Sequence, residues 1–281
     1  MYRISCGGSI LDLEARTHIM GILNVTPDSF SDGGRFLDLD DALRQAERMV
    51  EDGADMLDVG GESTRPGSDP VPLEEEISRV VPAIRSIVNH FSVLVSIDTY
   101  KAEVARRALD AGASAVNDIS ALRFDPGMAQ VVRTYDIPVV LMHMKGAPKT
   151  MQVDPTYEDL MGEIRSFLRA RVHAASAAGI DRSKIIVDPG VGFGKTGAHN
   201  LESIARLGEL RSLGCPILIG PSRKSFIGLT LNLPVDERLE GTLSALVLSV
   251  AHGAHLVRVH DVKQAVRAVR MADAILQYRV C

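Results

Sequence analysis

The chain has 281 residues, of which 46% are hydrophobic and only 4% aromatic, with no tryptophan. This composition is sufficient for a large aliphatic core, and α/β barrels often reach this length as one domain. The net charge of -5 gives no support for a nucleic-acid-binding surface. No segment has the pattern of a signal peptide, and the longest apolar stretch, around Leu243–Ala251, is too short to cross a membrane. We therefore expect a cytoplasmic protein with neither a nucleic-acid nor a membrane partner.

The three cysteines, Cys6, Cys215 and Cys281, are far apart in the sequence and form no CxxC pair. A disulfide framework or a structural zinc site is therefore disfavoured. The sequence favours buried or terminal thiols in a reducing compartment.

In chain order, residues 1–16 predict a small β-hairpin, and residues 17–281 predict the main body of one domain. Eight short runs, bounded by Gly, Pro or polar residues, have the composition of buried parallel strands. They are HIMGILN (18–24), MLDVGG (56–61), VLVSIDT (93–99), AVNDIS (115–120), PVVLMHM (138–144), KIIVDPG (184–190), PILIGPS (216–222) and LVRVHDV (256–262). Helical patterns lie between them, including 38–53, 73–91, 101–112 and 237–253.

Alternation of eight strands with helices in a chain of this length predicts an α/β fold, a single (β/α)8 TIM barrel preceded by the hairpin. An open doubly wound sheet is the second candidate, but no GxGxxG motif follows the first strand. A weak internal repeat supports the barrel. The phrases DGADMLDVGG, AGASAVNDIS and HGAHLVRVH share a Gly-Ala step from a helix end into a strand.

Polar residues end nearly every predicted strand. They are Asn24, Glu62, Asp98, Asn117, Asp118, His143, Asp188, Ser222, Arg223, Lys224, Arg258 and His260. Asp98-Thr99 and Asp118-Ile-Ser120 each precede a helix, so helix capping remains an alternative for each of these. In TIM barrels, however, the carboxyl ends of the strands carry the active site. We expect most of these side chains to meet at that rim.

The rim residues divide into two chemical groups. Asp98, Asn117 and Asp188 are rich in acceptors and suit a flat heterocycle that carries several N–H donors. The cationic group comprises Arg65, Arg223, Lys224, Arg258 and His260. Three of these five follow the last two strands, where many barrels bind a phosphate. This division predicts a substrate with a polar ring at one end and phosphate at the other.

Two long loops follow the first and second predicted strands, VTPDSFSDGGRF and ESTRPGSDPVP. Their Gly, Pro and hydroxyl residues suit lids over an active site, although variable surface loops are the alternative. The segment DPGVGFGK (188–195) lacks the spacing of a phosphate-binding loop. We interpret its glycines as sites of close backbone approach to a ligand, with Phe193 as a wall. His143 has no second metal-ligand residue at a matching spacing, so a packed histidine is favoured over a metal ligand.

Eight motifs together resemble the dihydropteroate synthases of bacterial folate synthesis. They are GILNVTPDSFSDGG, DVGGESTRPG, SIDT, NDIS, LMHMKGAPKTMQ, DPGVGFGK, SRKS and RVHDV. The resemblance extends from about His18 to the final helix, and the first two motifs are highly specific as a pair. It implies the same (β/α)8 barrel. It also implies an enzyme that joins (7,8-dihydropterin-6-yl)methyl diphosphate to 4-aminobenzoate, with release of diphosphate, and that is a target of sulfonamides.

The resemblance assigns roles residue by residue. Asp98, Asn117 and Asp188 would hold the pterin ring edge, and Lys224 would reach the ring oxygen and nitrogen. Arg258 would lie along the ring and meet the diphosphate, which His260 and Thr64 would also bind. Arg258, His260 and Lys224 would thus be the catalytic residues. Around 4-aminobenzoate the family places Phe30, Arg65, Pro66, Phe193, Lys224 and Ser225.

The resemblance further implies Mg²⁺ coordinated by Asn24, and a homodimer. Loss of diphosphate builds negative charge on the leaving group, which Arg, His and Mg²⁺ can stabilise. Two alternatives are a pterin-dependent methyltransferase barrel, which needs no diphosphate pocket, and a catalytically silent pterin-binding protein. Release of diphosphate distinguishes the synthase from both.

Overall fold

The computed structural model describes residues 2–6, 8–26, 35–64 and 67–278. Its first two strands, β1 (Arg3–Cys6) and β2 (Ser9–Asp12), pair antiparallel, which confirms the predicted hairpin. The strands that follow are parallel and alternate with helices. The chain is therefore built as a β/α barrel with a hairpin in front of it.

All eight predicted strand runs form strands. They are β3 (His18–Asn24), β4 (Met56–Gly60), β5 (Leu94–Asp98), β6 (Ala115–Asp118), β7 (Val139–Met142), β8 (Ile185–Asp188), β9 (Leu218–Ile219) and β10 (Leu256–Val259). Their order in the sheet is β8-β7-β6-β5-β4-β3-β10-β9. A parallel bridge between Val187 and Ile217 joins the two ends of the sheet and closes the barrel.

Helices follow the strands around the outside. They are α1 (Arg35–Glu51), α2 (Leu73–His90), α3 (Ala102–Asp110), α4 (Met128–Tyr135), α5 (Leu160–Ala177), α6 (Gly197–Ala205), α7 (Ser225–Leu231), α8 (Leu239–Ala251) and α9 (Val262–Leu276). Two of them, α7 and α8, lie between β9 and β10. Three glutamates in the first turn of α2 match the positive end of the helix dipole.

The repeated Gly-Ala step is a helix C-terminal motif used three times. Gly53, Gly112 and Gly253 have φ angles of 97°, 111° and 102°, a left-handed conformation that glycine adopts without strain. In each case the N–H of the next alanine donates to the carbonyl five residues earlier, for example Ala54 to Met49 at 2.9 Å. This bond is characteristic of the Schellman motif. The repeat therefore turns a helix end sharply into the next strand.

Alternation along each strand separates the two faces of the barrel wall. Outward residues pack under the helices in the large aliphatic core. The lower interior is also apolar and includes Met20, Met56, Ala115, Val140, Ile186, Leu218 and Leu256. The hairpin residues Ile4, Cys6, Leu11 and Leu13 pack against this layer and close the amino-terminal end. Towards the carboxyl ends of the strands the interior becomes polar, and that change defines where a ligand can bind.

Cys6 and Cys215 are both buried free thiols, as expected from their spacing, and Cys281 lies outside the described residues. Burial raises the pKa of Cys6 to about 12. In the part of the chain that the structure describes, no helix is both long and apolar enough to cross a membrane.

We predict that Ile4→Ala destabilises the protein by about 2–5 kcal/mol, because it opens a cavity where the hairpin closes the barrel. Ile4 is 1% exposed, whereas Ile10 in the same hairpin is 67% exposed. Ile10→Ala is the matched control and should change stability by no more than about 0.5 kcal/mol. Urea unfolding measures both. Equal effects of the two substitutions would contradict the packing role of the hairpin.

Candidate active site

Arg258 lies at the centre of the polar upper interior. It points inward from β10, and its Nε donates to Asp58 Oδ2 at 2.6 Å. Its Nη2 donates to Asp98 Oδ2 at 2.7 Å. Two carboxylates from β4 and β5 therefore hold one guanidinium across the barrel.

Asn117 joins the same cluster from β6. Its Nδ2 donates to Asp58 Oδ2 at 2.9 Å, so this one oxygen accepts from both Asn117 and Arg258. Within the described residues three buried side-chain oxygens accept or donate no hydrogen bond, namely Asp58 Oδ1, Asp98 Oδ1 and Ser96 Oγ. Buried polar atoms nearly always have partners. The cluster therefore retains acceptor capacity for a ligand or for water.

Burial dominates the electrostatics of this cluster. It would lower the pKa of Arg258, but Asp58 and Asp98 more than offset the loss of solvation and raise that pKa. Burial also raises the pKa of Asp98, while the Arg258 charge opposes the rise. The guanidinium thus stays charged inside the barrel because carboxylates surround it.

Asp188 and Lys224 form the opposite wall. Asp188 Oδ1 accepts from the Gly190 N–H at 2.6 Å. Lys224 Nζ donates to the Val191 carbonyl and lies 4.7 Å from the centre of the Phe193 ring, a cation–π distance. Burial lowers the pKa of Lys224 to about 8, and the Asp188 charge opposes that shift.

Of the three glycines of DPGVGFGK, Gly190 and Gly194 meet protein backbone and Gly192 meets the Lys224 side chain, which corrects the prediction that they approach a ligand. Gly190 and Gly194 have positive φ angles of 68° and 59°. A Cβ at these positions would overlap the carbonyl oxygens of His143 and Lys145, respectively. The loop after β8 is therefore pressed against the loop after β7. Phe193 packs at this junction, against a cluster that includes Met142 and Met144.

Lys195 fixes the same loop from inside. Its Nζ lies 2.9 Å from His143 Nδ1, 3.0 Å from the Gly190 carbonyl and 3.2 Å from the Phe193 carbonyl. Three acceptors match the three donors of an ammonium group, although burial lowers the pKa of Lys195 to about 7. His143 is thus a packed, hydrogen-bonded histidine, as the sequence favoured.

Asn24 ends β3 and points into the same rim. A Cβ on Gly60 would stand 3.7 Å from Asn24 Oδ1 and 3.8 Å from Asp98 Oδ2, so the absence of a side chain at Gly60 leaves room between them. Within the described residues no group of three or more His, Cys, Asp or Glu side chains could hold a metal ion. A neutral amide oxygen beside a carboxylate nevertheless fits Mg²⁺, which retains waters and takes substrate phosphate oxygens.

The last strands add His260 and Ser222, whose Nδ1 and Oγ atoms lie 3.0 Å apart. Arg223 turns away to pair with Asp261, with Nε to Oδ2 at 2.9 Å, so it does not join the rim cluster. Ser225 is exposed at the first position of α7. Thr64 is half-buried in the loop after β4.

The root of that loop is held by ion pairs. Lys101 Nζ lies 2.5 Å from Glu62 Oε2 and 2.6 Å from Glu76 Oε2, and Thr99 Oγ1 donates to Glu76 Oε1 at 2.7 Å. Glu62 is two residues before Thr64. These bonds join the loop after β4 to α2 and to the segment after β5, so the position of Thr64 depends on them.

Neither predicted cap is a helix cap. The Asp118 carboxylate closes the turn after β6, where it accepts from the Ser120 and Leu122 N–H groups at 2.7 and 2.8 Å, and α4 begins only at Met128. Asp98 instead binds Arg258. Thr99 Oγ1 accepts from the Lys101 N–H at 3.2 Å, a bond in the turn that precedes α3.

Three predicted 4-aminobenzoate residues, Phe30, Arg65 and Pro66, lie outside the described residues. Sequence reasoning also missed two residues that the structure places in or beside the site, Asp58 and Lys195. A carboxylate at an inward position of an otherwise apolar strand was the available signal for Asp58, because a charge there needs a partner.

We predict that His143 makes the folded state sensitive to acid. Burial lowers its pKa to about 2, with Lys195 contributing, so below its ordinary pKa only the unfolded chain takes up the proton. The free energy of unfolding should then fall by about 1.4 kcal/mol per pH unit from about pH 6.5 downward. His143→Asn keeps an acceptor near Lys195 but cannot titrate, so its urea-unfolding free energies should fall less steeply over that range. Identical slopes in the two proteins would contradict this assignment.

Comparisons with known proteins agree with this geometry. The family model described as pterin binding enzyme matches residues 20–260. The dihydropteroate synthase of Clostridium beijerinckii is 49% identical over 272 residues, which cover 96% of this chain and 98% of that protein. A crystal structure of the Yersinia pestis dihydropteroate synthase with a sulfonamide drug has a TM-score of 0.93 and 45% identity, and covers 99% of this chain and 100% of that one.

The dihydropteroate synthase of Xanthomonas albilineans in complex with 7,8-dihydropteroate has a TM-score of 0.89 and 42% identity, and covers 99% of this chain and 100% of that one. The likeness in sequence and the likeness in structure thus extend over nearly the whole chain. This chain belongs to the pterin-binding enzyme family, and within it to the dihydropteroate synthases.

Proposed function

We propose that this chain condenses (7,8-dihydropterin-6-yl)methyl diphosphate with 4-aminobenzoate to give 7,8-dihydropteroate and diphosphate, in tetrahydrofolate synthesis. The single observation that carries the proposal is the change of the barrel interior from apolar to polar around Arg258. The sulfonamide and dihydropteroate complexes of similar proteins support it. An enzyme of this kind acts on free small molecules, which suits the cytoplasmic location expected from the sequence.

The pterin ring belongs between the acceptors of the upper interior. Asp188, Asn117 and Asp98 offer oxygens at the carboxyl ends of their strands, and the N–H groups of a pterin ring edge are donors. Asp98 Oδ1 is buried without a hydrogen bond among the described residues, which supports its assignment as an acceptor for the ring. Lys224, on the same wall as Asp188, can donate to the ring oxygen and nitrogen.

The diphosphate belongs towards the rim, beside Arg258, His260 and Thr64. Arg258 supplies a fixed, charged fork that is already ordered by two carboxylates. We assign Asn24 as the protein ligand of Mg²⁺, which when bound would neutralise charge on the leaving diphosphate. His260, oriented by Ser222, can donate to a phosphate oxygen.

The 4-aminobenzoate belongs against Phe193, near Lys224 and the start of α7 at Ser225. By the family resemblance we also assign Phe30, Arg65 and Pro66, which lie outside the described residues, to 4-aminobenzoate. Lys224 is placed to serve both substrates, because its ammonium lies against the Phe193 ring while the Asp188 charge favours its protonated form.

The reaction needs little covalent work from the protein. The bond between the pterin methylene carbon and the diphosphate oxygen breaks, and the electron pair leaves with the diphosphate. The neutral amine of 4-aminobenzoate then forms the new C–N bond and loses one proton. Arg258 and His260 stabilise charge that develops on the leaving group, which is usually the largest catalytic contribution. No general base of the Ser–His or Cys–His type is required.

Activity is tested by incubating the purified protein with the pterin diphosphate, Mg²⁺ and 4-aminobenzoate. We expect dihydropteroate and diphosphate in equal amounts, and inhibition by a sulfonamide that competes with 4-aminobenzoate. Tight pterin binding without product would indicate a silent binding protein. Turnover of a methylated folate without diphosphate release would indicate a methyltransferase.

We predict that Asn24→Ala increases the Mg²⁺ concentration that the enzyme requires but does not weaken pterin binding. Loss of one neutral oxygen ligand should raise the Mg²⁺ concentration for half-maximal activity by about tenfold, the size of effect that about 1.4 kcal/mol produces. Calorimetry of 6-hydroxymethyl-7,8-dihydropterin, which lacks the diphosphate, should give the wild-type affinity. An unchanged Mg²⁺ requirement would place the metal elsewhere.

We also propose a homodimer that uses the outer surface of α6, α7 and α8, which pack side by side. Large apolar side chains remain exposed on all three helices, including Leu201 at 46%, Leu229 at 76% and Leu248 at 52%. Burying such side chains against a second copy would remove apolar surface from water.

Leu229→Glu should shift the protein from dimer to monomer in sedimentation velocity. Val153, 78% exposed in the loop after β7, provides the matched control, and Val153→Glu should remain dimeric. A monomeric wild type, or a dimer that tolerates Leu229→Glu, would reject this surface.

A further inference from the structure

Asp58 is the most buried charge of the site, and the proposed function gives it no contact with a ligand. It lies in the middle of β4, points into the barrel, and its side chain is 0% exposed. It contacts two residues that the proposed function assigns to the substrate, Arg258 and Asn117. A buried carboxylate between two ligand-binding groups can control how both are presented.

Asp58 decides which atom Asn117 offers to a ligand. An asparagine amide has an oxygen that accepts and a nitrogen that donates, and either can face a site. Here Nδ2 donates to Asp58 Oδ2 at 2.9 Å, since a carboxylate can only accept. The amide oxygen is left for another donor, and within the described part of the chain it accepts no hydrogen bond from a side chain.

Charge balance alone does not account for Asp58. Arg258 already has a second counter-ion, Asp98 Oδ2 at 2.7 Å from Nη2. Asp58 takes the Nε donor instead, at 2.6 Å, on the same oxygen that receives Asn117. This shared oxygen couples the plane of the guanidinium to the orientation of the amide.

We propose that Asp58 is a positioning residue for pterin selectivity. It turns the Asn117 amide so that an acceptor faces the ring edge, and it holds Arg258 alongside the ring. This inference deepens the proposed function and rests on it. Its direct consequence is a preference for rings that present a donor at this point over rings that present an oxygen.

The substitution Asp58→Leu removes both acceptor oxygens from this position. Asn117 Nδ2 then has no acceptor at residue 58, so the amide is no longer held and can turn Nδ2 towards the ring. A donor would then oppose the ring donors, and an unpaired buried donor is costly.

Asp58→Asn is the matched control. Its one oxygen can take the place of Oδ2, which accepts from both Arg258 and Asn117, and its amide nitrogen can take the place of Oδ1, which has no hydrogen bond within the described residues. This variant loses the charge and keeps the acceptor. If only the charge at 58 mattered, Asp58→Asn would behave like Asp58→Leu.

The readout is a ratio of two affinities, measured by calorimetry for 6-hydroxymethyl-7,8-dihydropterin and for the matching lumazine, in which an oxygen replaces the ring amino group. The wild type should prefer the pterin. Asp58→Leu should reduce that preference by at least about tenfold, and Asp58→Asn should keep most of it, because a site built to bind a donor rejects an analogue without one. Melting temperatures show whether each variant is folded.

A folded Asp58→Leu with the wild-type preference would overturn the proposal, and so would an Asp58→Asn no more selective than Asp58→Leu. Should Asp58→Leu not fold, Asp58→Ala takes its place, because it also lacks an acceptor at this position. Failure of both Asp58→Leu and Asp58→Ala to fold would assign Asp58 to folding and not to selectivity. A wild type that binds neither ring would instead reject the proposed function.

Discussion

The rest of the site depends on the ion pairs that hold the Arg258 guanidinium inside the barrel. Arg258 is held by Asp58 and Asp98 at 2.6 and 2.7 Å, deep enough that solvent screens these charges weakly. Removing one partner from a buried ion pair leaves an uncompensated charge, which is strongly destabilising. The two carboxylates therefore have to come from neighbouring strands at fixed register, and the barrel provides that register.

This arrangement explains why the interior is divided into an apolar floor and a polar upper layer. The hairpin and the inward residues of the lower layer exclude water beneath the cluster. Above it, the loop after β8 is fixed by Lys195 and by glycines that accept close backbone contact. Asp188, Phe193 and Lys224 are thus positioned before a substrate arrives. Such preorganisation is what electrostatic catalysis requires, because the groups need not reorient during the reaction.

Much of the fold could be predicted from the sequence because buried parallel strands are short aliphatic runs with Gly, Pro or polar ends. All eight predicted runs became strands, and the Gly-Ala repeat proved to be a recurrent helix-end motif. The rim residues Asn24, Asp98, Asn117, Asp188 and Arg258 could be predicted because parallel strands place their carboxyl ends at one edge. Their roles in binding remain proposals.

Other features could not be predicted because they depend on contacts between distant segments. Asp58 is a single charged residue within an otherwise apolar strand. Only the three-dimensional register shows that Arg258, 200 residues later, donates to it. The glycines of DPGVGFGK suggested a ligand, whereas the space beside Gly190 and Gly194 is filled by the backbone of His143 and Lys145. The sequence suggested Arg223 as an anion ligand, but its guanidinium donates to Asp261 instead.

The central claim is that Arg258 recognises the diphosphate of the substrate from within the barrel. Calorimetry of wild type and Arg258→Lys with the pterin diphosphate and with 6-hydroxymethyl-7,8-dihydropterin tests it most directly, because lysine keeps the charge but lacks the fixed fork. The wild type should prefer the diphosphate, and the variant should lose about tenfold or more of that preference, about 1.4 kcal/mol. An unchanged preference in a folded Arg258→Lys protein would contradict the account and place the diphosphate elsewhere.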